Sequence, residues 1–386
     1  MNSSPSSVPN FFFALPLAAA LAAVLAGCGP KDGAREYADG MAAYEARSLE
    51  KAGKLFAKSL VYAPGNVDAL VMLARVQCDL GEMSDAGDTI AKAAALAPDA
   101  PDVALLDAEI ALYAGDYARA TSRFSGVAND ERLPAESRAL GWTGLGIAEM
   151  TRDSRDLARI AFLTAIRLDR RNAPARYHLG LLYRGDRYSY LDAALEQFEI
   201  FVRLGETADP RAVHAQRVII PGIKADIARR AAERPGAQRR DANAAAAALA
   251  RAEAAWKKKN YKAAKSEYEA ACKADVLSYP AALGLARACA ATAATPADRQ
   301  RALDCYKTAC SLRPGAVSTF LAAGELAMSV RQNATAVELY SRAVAADPSN
   351  VSAVDGLIRA LRKAGDGKTA DAYQRYRDTV SARKAK

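Results

Sequence analysis

The sequence is poor in the residue types that most catalytic and metal sites use. It has only two histidines, His178 and His214, and six cysteines among 386 residues. We find no metal-ligand spacing, no glycine-rich phosphate loop and no Ser/His/Asp set that can be argued from spacing. We therefore predict that the protein is not an enzyme and that it uses no cofactor and no metal.

Aromatic residues are also scarce, at 7% of the chain, although 51% of all residues are apolar. Alanine supplies much of that apolar fraction. Alanine is the strongest helix former, and its small side chain lets helices approach closely. The composition therefore favours a helical protein over a β sandwich.

The positive charge is not spread along the chain. The formal net charge is +9, and residues 211–262 hold thirteen Lys and Arg against four Asp and Glu, which accounts for the whole excess. A local excess argues against nucleic acid, which needs a basic face across a domain. The segment is interpreted first as a solvated linker; the alternative is contact with anionic lipid head groups or an acidic polysaccharide. This basic patch comprises Arg229, Arg230, Arg239, Arg240, Lys257, Lys258 and Lys259.

The N-terminus lacks an apolar run long enough for a comfortable membrane span. Residues 11–26 are apolar, which is short of the roughly 20 residues that a transmembrane helix needs and typical of a signal-peptide core. The run ends in Leu25-Ala26-Gly27-Cys28, which resembles the lipobox of bacterial lipoproteins. The first residues depart from that family because they contain no Lys or Arg. An ordinary signal peptide or an uncleaved anchor is the alternative.

The lipobox resemblance implies several features of the mature protein. Residues 1–27 would be a cleaved signal peptide, and Cys28 would carry the lipid at the new N-terminus. Residues 28–33 would form a short tether before the first helix. Gly29 follows the cysteine in place of the aspartate that retains such proteins in the inner membrane. The resemblance therefore implies an exported protein anchored to the outer membrane and facing the periplasm.

The chain shows an internal period of 34 residues. Ala63-Pro64 recurs as Ala97-Pro98, and Arg313-Pro314 recurs as Asp347-Pro348. Because proline cannot continue a preceding helix, each of these sites predicts the end of a helical pair.

Between these sites the residue spacing resembles the tetratricopeptide repeat. One segment reads Trp142-x2-Leu145-Gly146, and a later one reads Leu179-Gly180-x2-Tyr183. Nine alanines recur at the twentieth position of the pattern, each followed by a large side chain, four residues later in eight cases and three residues later for Ala370. They are Ala52, Ala86, Ala120, Ala158, Ala194, Ala264, Ala302, Ala336 and Ala370. The resemblance implies an all-α fold, a right-handed α-solenoid of about nine helix-turn-helix units in which each pair covers the apolar face of the next.

The repeats predict a division into two blocks. Residues 34–210 form an N-terminal block and residues 242–380 a C-terminal block, followed by a basic tail at 381–386. Residues 211–241 lack the repeat pattern and predict a linker helix, interrupted at Pro221-Gly222, and then a Pro/Gly/Arg-rich break.

In tetratricopeptide proteins the first helix of each unit lines an inner, concave face. The resemblance implies that this face binds an extended or helical peptide in a groove with few charges. The Lys/Asn clamp of chaperone-docking members is missing here. For each residue the alternative is simple packing between neighbouring helices. The implied face consists of Tyr37, Met41, Tyr44, Arg75, Glu109, Tyr113, Ile147, Met150, Tyr177, Leu181 and Arg184.

Five cysteines remain besides Cys28. Cys305 and Cys310 are five residues apart on one predicted helix, so they point in different directions and cannot form a disulfide. A disulfide would need Cys272 or Cys289 together with a residue of another helix. The alternative is that all five, including Cys78, are small core residues.

The leading functional hypothesis is a non-catalytic scaffold or adaptor in a membrane-associated protein assembly. The architecture is similar to repeat lipoproteins that act as pilotins or as envelope adaptors. A polysaccharide-handling protein of an exopolysaccharide export system is the second hypothesis. A structural spacer or self-assembling protein is the third.

Overall fold

The computed structural model describes residues 32–185, 190–204, 209–234 and 241–382. Within these ranges the secondary structure is helical, and no strand occurs. The helices of the first half are α1 (Ala34–Glu45), α2 (Leu49–Tyr62), α3 (Val67–Leu80), α4 (Met83–Leu96), α5 (Pro101–Tyr113), α6 (Tyr117–Asn129), α7 (Ala135–Thr151), α8 (Arg155–Leu168), α9 (Ala173–Gly185) and α10 (Leu191–Leu204). Those of the second half are α11 (Pro210–His214), α12 (Ile220–Ala232), α13 (Ala242–Lys257), α14 (Tyr261–Ala274), α15 (Tyr279–Ala291), α16 (Pro296–Leu312), α17 (Val317–Ser329), α18 (Asn333–Ala346), α19 (Val351–Ala364) and α20 (Gly367–Ala382).

The described residues group into two compact units. Unit 1 comprises residues 32–154 and 164–174, and unit 2 comprises residues 155–163 and 175–382. In unit 1 each helix from α1 to α7 packs on the next, and in unit 2 the same holds from α13 to α20. The all-α repeat solenoid expected from the sequence is therefore confirmed.

Local sequence signals fix where the helices start. The side chains of Asn66 and Asn350 accept a hydrogen bond from the backbone N–H three residues further on, at 3.0 and 3.1 Å. Thr295 and Asp298 form a reciprocal capping box at the start of α16. These caps satisfy backbone donors that would otherwise have no partner in the first turn.

The turns inside the helical pairs repeat the 34-residue period. A residue with positive φ stands at Arg47, Gly81 and Gly115, each 34 residues after the last, and again at Arg331 and Gly365. This conformation is strained for residues with a Cβ and free for glycine. The same turn geometry is thus built whether or not the position carries a glycine.

The core is made of the residues that the repeat pattern selects. All nine alanines of the twentieth position have no exposed surface. The large side chains that follow them, four residues later or three after Ala370, are buried as well, which confirms their predicted packing role. They are Phe56, Ile90, Phe124, Phe162, Phe198, Tyr268, Tyr306, Tyr340 and Tyr373.

Glycines pack against these large rings from two sides. Gly40 and Gly324 stand at the eighth repeat position, and a Cβ there would lie 2.8 and 2.7 Å from the ring of the same unit. Gly144, Gly284 and Gly356 lie two residues earlier in their units and face the ring of the preceding unit at still shorter range. The first set occupies the glycine position of the repeat motif that Gly146 and Gly180 also hold, whereas the second set became visible only in the structure.

The expected interruption of the linker helix at Pro221-Gly222 was wrong. Helical backbone runs from α11 through a π-helical turn, Ala215–Ile219, directly into α12. The N–H of Ile220 bonds to the carbonyl of Ala215, five residues back. Because proline lacks an N–H and clashes with the preceding turn, the wider π turn accommodates Pro221 without breaking the helix.

One buried arginine connects three helices of unit 2. Arg159 of α8 is only 3% exposed, and its Nε donates a 2.7 Å hydrogen bond to the hydroxyl of Tyr373 in α20. Its guanidinium also reaches Ser341 Oγ of α18 at 3.4 Å and forms an ion pair with Asp156. These partners compensate the buried charge, whose isolated burial would be costly.

Several expectations fall outside the described residues. They are the signal peptide at 1–27, the lipid site Cys28, most of the tether at 28–33, the break at 235–240 with Arg239 and Arg240, and most of the tail at 381–386. The block boundary at 211–241 also stays a prediction. Among the described helices, none is both long and apolar enough to cross a membrane.

Candidate partner-binding face

The residues predicted to line the inner face differ widely in exposure. Arg184 is exposed, and Tyr37, Met41, Tyr44, Tyr113, Met150 and Leu181 are half-buried. Four others are buried, so they contribute little surface to a ligand: Arg75, Glu109, Ile147 and Tyr177.

An ion pair lies at the centre of this face in unit 1. Arg75 of α3 and Glu109 of α5 are each 4% exposed, and Arg75 Nη1 lies 3.6 Å from Glu109 Oε2. Burial raises the pKa of Glu109 to about 7, although the charge of Arg75 acts in the opposite direction. Because this pKa lies near neutral pH, both the protonated and the charged form of the carboxyl are populated there.

A second contact links α1 to α3 on the same face. The hydroxyl of Tyr44 donates a 2.9 Å hydrogen bond to Asp79 Oδ2. Burial, followed by the charge of Asp79, raises the pKa of Tyr44 to about 12, so the phenol stays protonated. Burial also raises the pKa of Asp79, against the effects of Tyr44 and Arg75.

The first turns of α3 and α5 add two exposed carboxylates, Asp68 and Asp102. The charge of Asp68 contributes to the raised pKa values of both Tyr37 and Asp102, after burial as the main cause. Asp68 of α3 therefore lies within electrostatic reach of both Tyr37 of α1 and Asp102 of α5.

The unit 1 face is acidic as a whole. We call the set Tyr37, Tyr44, Asp68, Arg75, Asp79, Asp102 and Glu109 the acidic face. It holds four carboxyl groups and one guanidinium, and Arg47 acts on Asp79 from its edge. Few charges were expected on this face from the sequence, and Asp68, Asp79 and Asp102 were not among its predicted residues. The 34-residue spacing of Asp68 and Asp102, both at the second position of their helices, was the signal that would have found them.

Tyr177 belongs to an aromatic cluster of unit 2. Its ring lies 5.1 Å from Phe201, 5.9 Å from Phe198 and 5.3 Å from His178, centroid to centroid. Burial, followed by the charge of Arg211, lowers the pKa of His178 to about 3. His178 is thus a neutral imidazole packed among aromatic rings.

Unit 2 repeats a charged arrangement on its own first helices. Tyr268 donates a 2.7 Å hydrogen bond to Glu253 Oε1, and Arg359 pairs with Glu325 of the preceding first helix. Arg287 follows Glu253 by 34 residues, as Arg359 follows Glu325, and it lies over the ring of Trp256 at 4.6 Å. The contacts of Arg287 and Arg359 connect adjacent units, whereas the Tyr268–Glu253 bond lies within one helical pair.

The described part of the basic patch is exposed. Arg229 and Arg230 lie near the end of α12, where Arg229 pairs with Asp226 and Glu233. The three lysines 257–259 end α13 and form the turn into α14. Within the described ranges, no group of three or more His, Cys, Asp or Glu residues is placed to hold a metal ion.

Comparisons with known proteins identify the repeat family of one segment of the chain. Residues 43–110 match the family model of the tetratricopeptide repeat. No curated protein matches the sequence. A thermophilic tetratricopeptide protein of Thermus thermophilus is 22% identical over 49% of this chain and 99% of its own, with a TM-score of 0.43.

Two further solved structures are similar to this chain. The pilF protein of Pseudomonas aeruginosa is 19% identical over 53% of this chain and 93% of its own, with a TM-score of 0.42. The Cut9–Hcn1 hetero-tetramer is 15% identical over 89% of this chain and 78% of the matched chain, with a TM-score of 0.34. The chain is thus an all-α repeat protein whose residues 43–110 match the tetratricopeptide repeat.

Proposed function

We propose that this protein is a non-catalytic scaffold that recruits a partner protein through the acidic face of unit 1. We further propose that it is exported and held at the outer membrane, facing the periplasm, by a lipid on Cys28. Tetratricopeptide repeats are in general protein-interaction modules, which supports the scaffold role. The acidic face is the single observation that carries the choice of surface.

The chemistry of the acidic face favours a partner segment that carries Lys or Arg beside apolar residues. Asp68 is exposed and lies within electrostatic reach of both Tyr37 and the exposed Asp102, so a cation at Asp68 would meet carboxylates and an aromatic group. Met41 is half-buried and packs with Tyr37 and Tyr44 against the core, which offers apolar contact next to the charges. Complementary charge of this kind accelerates association and selects against acidic partners.

The experiment is site-specific photo-cross-linking in intact cells. A photoreactive amino acid replaces Met41, which packs beside Tyr37 and Tyr44 of the acidic face. The control places it at Val61 of α2, which is 74% exposed. We expect a discrete cross-linked protein at position 41 and none of that identity at position 61. The D68N/D102N variant should lose the product, whereas D88N, which removes an exposed carboxylate of α4, should keep it.

Identical products at positions 41 and 61, or an undiminished product in D68N/D102N, would exclude the acidic face as the docking surface. A captured segment without Lys or Arg near the cross-link would refute the proposed partner chemistry while leaving the scaffold role standing.

The lipid anchor needs a separate measurement. Cells grown with a labelled fatty acid should incorporate the label into the wild type and not into C28A. The wild type should sediment with the outer membrane and C28A should be released in soluble form. Labelling of C28A, or recovery of the wild type in the soluble fraction, contradicts the anchor.

The exposed lysines 257–259 support a second candidate function, the binding of an acidic polysaccharide. A polyuronate should bind the wild type at low salt and be released as the salt concentration rises, because screening weakens contacts between exposed charges. The K257Q/K258Q/K259Q variant should bind at least several-fold more weakly. Equal binding by both proteins would eliminate this candidate.

A further inference from the structure

Three of the cysteines of unit 2 lie together on three consecutive helices. Cys272 belongs to α14, Cys289 to α15 and Cys305 to α16. Cys289 Sγ and Cys305 Sγ are 3.9 Å apart, although they lie on different helices of one helix-turn-helix pair. Cys272 is within electrostatic reach of both. We call these residues the thiol cluster.

The other two cysteines are separated from this cluster. Cys310 is buried and lies within electrostatic reach of Glu338 and Arg342 of α18. Cys78 belongs to unit 1, where it is buried near Glu109 and Arg75. Burial raises the pKa of both thiols to about 12, which keeps them protonated and unreactive.

The surroundings of Cys289 favour a thiolate. The S–H of Cys305 donates a hydrogen bond to Cys289 Sγ, and the charges of Lys265 and Arg301 act in the same direction. Together they lower the pKa of Cys289 to about 7, against the effect of burial. Cys305, as the donor, has its pKa raised. A thiolate next to a thiol supplies the attacking sulfur and the resolving sulfur that form a disulfide by exchange with an external disulfide.

We propose that Cys289 and Cys305 are an oxidation site that forms an intramolecular disulfide joining α15 to α16. The two sulfurs need to approach from 3.9 Å to the disulfide bond length of about 2.05 Å, a change within reach of side-chain rotation. Cys272, half-buried on α14, is the third sulfur within the cluster and stays outside the bond.

The oxidant is an external disulfide, such as that of an oxidised dithiol–disulfide oxidoreductase. The Cys289 thiolate attacks one sulfur of the donor, and the other donor sulfur leaves as a thiolate. Cys305 loses its proton and attacks the Cys289 sulfur of the mixed disulfide, which releases the second donor sulfur. Two cysteine thiols become one disulfide, and the donor disulfide becomes a dithiol that takes up the two protons.

The product would close a short loop across the connection between α15 and α16. A cross-link of that kind mainly restricts the unfolded chain, so it stabilises the folded unit. The disulfide would stabilise one helix-turn-helix pair of unit 2. It involves no residue of the acidic face.

Tryptic mapping tests the pairing directly, because trypsin places each of these cysteines on a different peptide. The native full-length protein is equilibrated with reduced and oxidised glutathione, blocked with an alkylating reagent under denaturing conditions, and digested. We expect peptides 288–299 and 302–307 joined by a disulfide. The peptides that carry Cys78, Cys272 and Cys310 should be alkylated.

Single substitutions make the result specific. Oxidation should raise the Tm of the wild type by several degrees, a shift that C289A and C305A should not show. C272A should still form the bond, and its circular dichroism should match that of the wild type. Alkylation of both Cys289 and Cys305 after equilibration with the oxidant overturns the proposal. A dominant bond between any other pair overturns it too.

Discussion

The close approach of Gly284 to Tyr268 leads to a strong prediction about stability. Gly284 lies inside α15, and a Cβ at this position would overlap the aromatic ring of Tyr268. The ring is 1% exposed, and its hydroxyl is tied to Glu253 at 2.7 Å, so it has little freedom to move away. Overpacking of this kind costs up to about 3 kcal/mol. The better helix propensity of alanine returns about 1 kcal/mol, so we expect G284A to lose about 2 kcal/mol of unfolding free energy.

A matched glycine provides the control. Gly126 also lies inside a helix, α6, but a Cβ there has no heavy atom within 4 Å. G126A should therefore gain about 0.5 to 1 kcal/mol from helix propensity alone. The measurement is urea unfolding followed by circular dichroism, with equal m-values required for the comparison. Removing the ring should reverse the sign at the first site, because in a Y268A background G284A should be neutral or stabilising. A G284A protein as stable as G126A would refute the proposed ring contact.

The remaining predictions concern the charges and the turns. Because the pKa of Glu109 is raised to about 7 in the folded protein from 4.5, the folded state binds more protons between these values, and stability contributed by this group falls as pH rises through that window. The unfolding free energy of the wild type should therefore fall by about 1 to 3 kcal/mol relative to that of E109Q between pH 5 and pH 8. If urea unfolding shows the same pH dependence of this free energy for both proteins, the prediction is contradicted. R159M should lose about 3 kcal/mol of unfolding free energy, because it leaves the Asp156 charge and the buried Tyr373 hydroxyl without their partner. R375M, at an exposed position of α20, should change the unfolding free energy by less than about 0.5 kcal/mol. Equal losses in thermal unfolding would show that Arg159 contributes no buried interaction. R331G should gain about 1 kcal/mol by relieving the positive φ of this residue, and G365A at the equivalent turn should lose a similar amount; the same sign for both variants would argue against a shared turn geometry.

The period of the sequence predicted the repeat core well. An alanine followed three or four residues later by a ring or a branched chain is a local pattern, and its nine occurrences are all buried. The prediction succeeded because each helical pair must present the same small and large side chains to its neighbours. The eighth-position glycines, such as Gly40 and Gly324, follow from the same local rule.

The candidate binding face was predicted less completely. Positions on the first helix of each unit were predicted to line the face, which stays a prediction, and their accessibility depends on side chains of the neighbouring unit. Glu109 is buried because Arg75 of the preceding unit lies against it, and Tyr44 is tied to Asp79 in the same way. Pairwise electrostatics of this kind has no signature in a single repeat, so the acidic character of the face emerged only when the units were stacked.

The sequence by itself determined the helices, their caps, the turn period and the small residues at which the helices meet. Each of these depends on interactions within a few residues or between identical positions of neighbouring repeats. The tertiary structure decided which chemistry-bearing residues share one place. It brought Cys289 to Cys305 across a turn, Arg159 to Tyr373 across 214 residues, and the carboxylates of α3 and α5 to one face. Their proximity depends on how successive helices stack and on which side each one turns to its neighbour, and a repeat pattern read one unit at a time does not contain that information.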